Sequence, residues 1–162
     1  MITTDQYTIT KNATVDFAPD ERIVVKFTCP ENDENVEDSW SRALNITEYM
    51  LHDLKCIIND GSKLAIILDG SLEVDNVYVE ALCDRLWSLF YEFRERNVHL
   101  DTWIYIVTDN VSYALNYLCM HHLVYTTNNL HLVVGKDNPK RTYKRIGKNM
   151  FKEITDEIVK IN

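Results

Sequence analysis

An α/β domain with a mixed, largely parallel sheet is what this sequence predicts, and three features predict it. Two apolar runs of strand length, Leu64–Leu68 and Trp103–Thr108, are each followed by an amphipathic helical stripe. A β-branched run, Ile23–Phe27, precedes another such stripe, and two extended segments open the chain. Strand and helix alternating after a β-hairpin start imply parallel strands joined by right-handed crossovers. The expectation is one domain over residues 1–162, with about 4–5 strands and about 3–4 helices.

The elements follow in order. Gln6–Thr10 and Ala13–Phe17 read as extended, Ala18-Pro19-Asp20-Glu21 as a turn, and Ile23–Phe27 as a strand. After the acidic loop ENDENVED (31–38), Trp40, Ala43, Leu44, Thr47, Leu51, Leu54 and Ile58 recur at helical spacing until Asp60-Gly61, and Asp38 or Ser39 is the expected N-cap. Leu64–Leu68 is continuously apolar, the pattern of a strand covered on both faces. From Asn76, an N-cap type, Val79, Leu82, Cys83, Leu86, Leu89, Phe90 and Phe93 form one stripe, and Asn97 suits a left-handed stop. Asp109-Asn110 caps a further stripe through Val111, Ala114, Leu115, Leu118 and Cys119, and Leu130–Val134 is the last strand expected. Residues 136–162, with Tyr143, Gly147, Met150, Phe151, Ile154 and Ile158 on one face, read as a basic C-terminal helix packed on the domain.

The chain has 162 residues, 46% of them apolar, and a net charge of −8. Residues 1–135 carry 9 Lys/Arg against 21 Asp/Glu, whereas residues 136–162 carry 8 against 4. An acidic body argues against direct nucleic-acid binding, because phosphate neutralisation supplies most of that affinity. No run approaches the ~20 apolar residues of a membrane span, and MITTDQYTITKN has neither the basic nor the apolar part of a leader. A cytoplasmic location with no membrane partner is expected. The cysteines, Cys29, Cys56, Cys83 and Cys119, lack the density of a disulfide scaffold. Cys119, His121 and His122 do not face one point on a helix, so no zinc site is expected there.

The stretch LAIILDGSLEVDNVYVEAL (64–82) carries a resemblance. It is similar to the strand and helix-opening turn of the STAS domain family, the fold of the anti-sigma-factor antagonists, and the order of elements along the chain resembles that family too. The resemblance implies a protein-binding module and places Asp75 at the family's Asp, Asn76 at the next small residue and Val77 at its phosphorylatable Ser or Thr. Valine has no hydroxyl, so the family's phosphorylation switch has no acceptor at Val77.

Asp69-Gly70-Ser71-Leu72-Glu73 also looks like the Asp-x-Ser-x-Ser metal motif of von Willebrand factor A domains, with Asp109 as the later Asp. Asp69, Ser71 and Asp109 would offer hard oxygen ligands suited to Mg²⁺ at the carboxyl ends of strands, for metal binding or phosphoester chemistry. Glu73 replaces the second Ser, and only about forty residues separate the two motifs.

The reading reached is a non-catalytic, regulatory protein-interaction module with no catalytic group, metal or cofactor. Its expected contact residues are Asp69, Ser71, Glu73, Asp75, Asn76 and Val77. The partner is another protein, and a second copy of the chain, as a homodimer, is admissible. Two alternatives stand beside it: an acidic decoy that occupies a nucleic-acid-binding cleft, and a metal-dependent enzyme built on Asp69, Ser71 and Asp109.

Overall fold

The computed structural model describes residues 2–3, 6–29, 36–70, 76–116, 129–137, 139–147 and 150–156. Among them, eight strands form a single mixed sheet: β1 (Ile2–Thr3), β2 (Tyr7–Val15), β3 (Ala18–Cys29), β4 (Lys63–Gly70), β5 (Asp101–Ile106), β6 (Asn129–Val134), β7 (Arg141–Gly147) and β8 (Met150–Glu153). Helix α1 (Val36–Lys55) joins β3 to β4, and α2 (Val77–Glu95) joins β4 to β5. Residues 111–116, between β5 and β6, are also helical. The α/β class is as expected, with more strands than the periodicity suggested.

The strands lie in the sheet in chain order. The four central ones, β3 to β6, are parallel, and the pairs at either end are antiparallel. Because every parallel step moves in the same direction, right-handed crossovers put their helices on one face. That face holds the main core. Two cross-strand rows, Val25–Ile66–Ile104–Leu132 and Phe27–Leu68–Ile106–Val134, are buried beneath α1 and α2. α1 contributes Ala43, Met50 and Leu54, and α2 contributes Leu82, Leu86, Leu89 and Phe90. Tyr7 ties β2 to α1, its hydroxyl donating to Asp53 Oδ2 at 2.7 Å. Burial first, then this bond, pushes the Tyr7 hydroxyl up to about 12.

Among the described residues, the β2–β3 hairpin packs on the second face. Register shifts near Asn12 and Asp20, both at positive φ, bend the hairpin as bulges do. Its tip then lies over β5. Phe17 packs on Tyr105 with ring centroids 5.1 Å apart, and Asp16 Oδ2 accepts from Lys140 Nζ at 3.1 Å. Phe17, Ala65, Trp103 and Val133 make a small second core there.

Three local expectations are corrected. The Ala18–Glu21 turn is part of β3, Val15 pairs with Ala18, and the chain reverses at Asp16-Phe17. α1 begins at Val36, so Asp38 and Ser39 lie inside its first turn, where Glu37 and Asp38 suit the helix dipole. Residues 141–147 and 150–153 of the basic tail are the β7–β8 hairpin, not a helix. The spacing of Tyr143, Gly147 and Met150 imitates a helix, but Gly147 would weaken one, and β6 has an open edge whose backbone groups need partners. β7 answers that need, β8 pairs with β7 in turn, and Tyr143 extends the core row beyond Leu132.

Candidate interaction surface at the β4–α2 loop

β4 ends where its apolar alternation ends. Asp69 falls on the second face, opposite Thr28, with its side chain 40% exposed. Its Oδ1 accepts from Gly70 N at 2.7 Å, and its Oδ2 lies 3.7 Å from Lys26 Nζ. Gly70 follows at φ +95°, and a Cβ there would stand 2.4 Å from the carbonyl oxygen of Cys29. Only glycine lets β4 leave the sheet so close to β3. Ser71, Glu73 and Asp75 lie outside the described residues.

Asn76 opens α2 as its composition predicts. Its Oδ1 accepts from Tyr78 N at 2.9 Å and Val79 N at 3.2 Å. At the other end Asn97 takes the left-handed conformation, φ 56°, while Val98 N bonds Phe93 O and Asn97 N bonds Arg94 O. This is a Schellman stop. Asn76 and Val77 are 3% and 5% exposed, so both side chains are turned into the protein. Of the expected contact residues that are described, Asp69 alone keeps a partly exposed side chain.

Asp109 is held by two backbone amides. One carboxylate oxygen accepts from Lys136 N at 2.8 Å and the other from Asp137 N at 3.1 Å, which fastens the β6–β7 connection to the end of β5. Asn110 Oδ1 caps the next helical segment through Tyr113 N at 3.0 Å. Among the described residues, no three His, Cys, Asp or Glu come together in a way that holds a metal ion. Among the described residues the parallel strands follow chain order, without the reversal at which doubly wound sheets bind their ligands. Cys29, beside Gly70, is no ready nucleophile: burial, then the charge of Asp69, pushes its thiol up to about 12. Cys119, His121 and His122 lie outside the described residues.

The structure brings forward two features that the sequence reading passed over. On the outer face of α2, Trp87 and Tyr91 stack at 5.4 Å with 15° between their planes, and they are 38% and 45% exposed. Their i, i+4 spacing, off the apolar stripe, was the available signal. A cleft of about 750 Å³ also opens at the carboxyl ends of β5 and β6, walled by Thr108, Val134, Lys140, Arg141, Glu153 and Asp156. Its outer wall stands there because β7 pairs with β6 and β8 with β7. No family model, curated protein or solved structure matches the chain.

Proposed function

We propose that this domain is a non-catalytic, regulatory protein-interaction module, STAS-like in the sense the β4–α2 stretch implies. It binds a partner protein through the outer face of α2 and the loop that opens that helix. The observation that carries the reading is the stacked, exposed pair Trp87 and Tyr91. Large aromatics left in water on a rigid helix are the side chains that most often anchor an interface. Asp69, at the other end of the same connection, supplies a rim charge that steers association, and Ser71, Glu73 and Asp75 extend that rim in sequence. The elements through β6 follow the order on which the STAS resemblance rests, while β7 and β8 depart from it. A cytoplasmic setting belongs to the same proposal. It is supported by Cys29, Cys56 and Cys83 all being free thiols, and among the described residues no helix is long and apolar enough to cross a membrane.

The test is affinity purification of the tagged chain from its native cells, wild type beside Trp87→Ala/Tyr91→Ala, with mass spectrometry and a melting curve for each. The expected result is one stoichiometric partner retained by the wild type and lost by a variant that melts normally. Retention of the partner by that variant would move the interface elsewhere, and turnover of a small molecule by the purified chain would overturn the non-catalytic reading.

A further inference from the structure

The walls of the cleft at the carboxyl ends of β5 and β6 are fastened by the chain itself. On one side Asp109 accepts from Lys136 N and Asp137 N, which ties the β6–β7 connection to the end of β5. On the other, Ile154 N donates to Thr142 O at 2.8 Å and Thr142 N to Thr155 Oγ1 at 3.0 Å, so the chain beyond β8 stays beside β7. The opening is therefore preformed, as most small-molecule sites are. Its volume of about 750 Å³ falls within the roughly 300–1,000 Å³ typical of such sites.

Charge is left over once the walls are held. Apart from Asp109, which is spent on the two amides, the lining carries Lys140 and Arg141 from the β6–β7 side and Glu153 and Asp156 from the end of β8. Arg141 Nε stands 3.9 Å from Glu153 Oε1, beyond hydrogen-bond length, and that oxygen accepts instead from the Thr155 hydroxyl at 3.2 Å. Lys140 Nζ lies 4.9 Å from the centroid of the Tyr105 ring and donates to Asp16 Oδ2 at the tip of the β2–β3 hairpin. Two cations and two carboxylates thus line one opening, beside the buried Val134 and Ile154. An inorganic anion drawn to the cations would face the carboxylates as well, and a metal ion drawn to the carboxylates would face the cations. A molecule that carries both charges answers all four.

We propose that this cleft binds a small zwitterion, of the class of free amino acids and dipeptides. The ligand carboxylate takes Arg141, whose guanidinium suits paired bonds to two oxygens, with Lys140 as the second cation. The ligand ammonium takes Asp156 and Glu153, and the body between them lies over Val134 and Ile154. The place is one where α/β sheets commonly hold ligands, outside the carboxyl ends of parallel strands, walled here by an antiparallel hairpin. The site uses no residue of α2 and does not rest on the function proposed above.

The experiment titrates the full chain, labelled with nitrogen-15, with glycylglycine at neutral pH. Two relatives that each lack one charge, glycylglycinamide and N-acetylglycylglycine, are run beside it. Saturable amide shifts confined to residues lining the cleft are expected, with either relative binding about tenfold more weakly. Arg141→Gln should weaken glycylglycine about tenfold and leave glycylglycinamide as in the wild type. Asp156→Asn should weaken glycylglycine by a similar factor and leave N-acetylglycylglycine unchanged. Both side chains are exposed, so both variants should melt with the wild type, and the comparison of the three probes on the wild type stands without them. No saturable shifts at the cleft, a singly charged relative that binds as tightly as glycylglycine, or a variant that weakens all three probes equally would each overturn the proposal. Inorganic phosphate that binds the same residues more tightly, unaffected by Asp156→Asn, would overturn it in favour of a plain anion site.

Discussion

Arg22 of β3 reaches over β4 to Asp101 of β5, its Nη2 3.3 Å from Asp101 Oδ2, with no part of the arginine side chain exposed to solvent. Its Nη1 also donates to the carbonyl oxygens of Leu64 and Asp101, and its Nε to that of Pro19. The guanidinium carbon stands 5.8 Å from the Trp103 ring, which stacks in turn on His131 at 4.0 Å. One cation therefore clips three strands and the bent hairpin together. Arg22→Met should cost about 3 kcal/mol, because three buried or part-buried carbonyls and a carboxylate lose their donor at once. Asp101→Asn should cost less, since that side chain is 30% exposed and can find water. Urea unfolding of the two variants measures both, and equal small losses would show that the clip is ornamental.

Asn76→Ala should lower stability by about 1 kcal/mol, through loss of the two backbone bonds that its Oδ1 accepts at the start of α2. Asn76→Asp keeps an acceptor oxygen and should retain most of the wild-type value. The comparison by chemical denaturation separates capping from mere burial of the side chain.

Gly70→Ala and Gly61→Ala should differ sharply although both glycines have positive φ. At Gly70 the added Cβ meets the Cys29 carbonyl oxygen at 2.4 Å, so β3 and β4 must part and several kcal/mol are expected to be lost. At Gly61 nothing lies within 4 Å, and only the backbone strain of about 1 kcal/mol remains. Comparable melting temperatures for the two variants would contradict the close approach.

His131 is held neutral. Burial pushes its imidazole down from 6.5 to about 4, against the opposing pull of Asp101, while Lys144 and Arg22 add to the depression. Between those values the unfolded chain binds a proton that the native chain refuses, so stability should be full above about pH 6.5 and fall as the pH drops toward 4. His131→Phe, which keeps a flat ring against Trp103, should remove that part of the slope. Melting temperatures taken between pH 7 and pH 4 check the sign. Asp20 and Glu92, whose carboxyls are held low by Lys63 and Lys55, matter in more acidic solution.

The sequence by itself determined what depends on near neighbours along the chain. Leu64–Leu68, the stripe from Val79 to Phe93, and both ends of α2 at Asn76 and Asn97 follow from apolar period and from side chains that satisfy or stop the adjacent backbone. Strands alternating with helices were enough to give a parallel core. Only the tertiary structure decided what depends on distant partners. Residues 141–147 and 150–153 are strands because β6 offers an edge to β7 and β7 in turn offers one to β8, a condition no window of local periodicity contains. Arg22 is buried because Asp101, 79 residues away, and a folded-back hairpin enclose it. Asp109 spends its carboxylate on Lys136 and Asp137, so a residue that reads as a free acid in sequence is a fastener in space. Trp87 and Tyr91 are ordinary helix residues until the packing of α2 leaves them outside. Local hydrogen-bond and period rules write elements into sequence, whereas burial, pairing and charge partners are set by which elements meet.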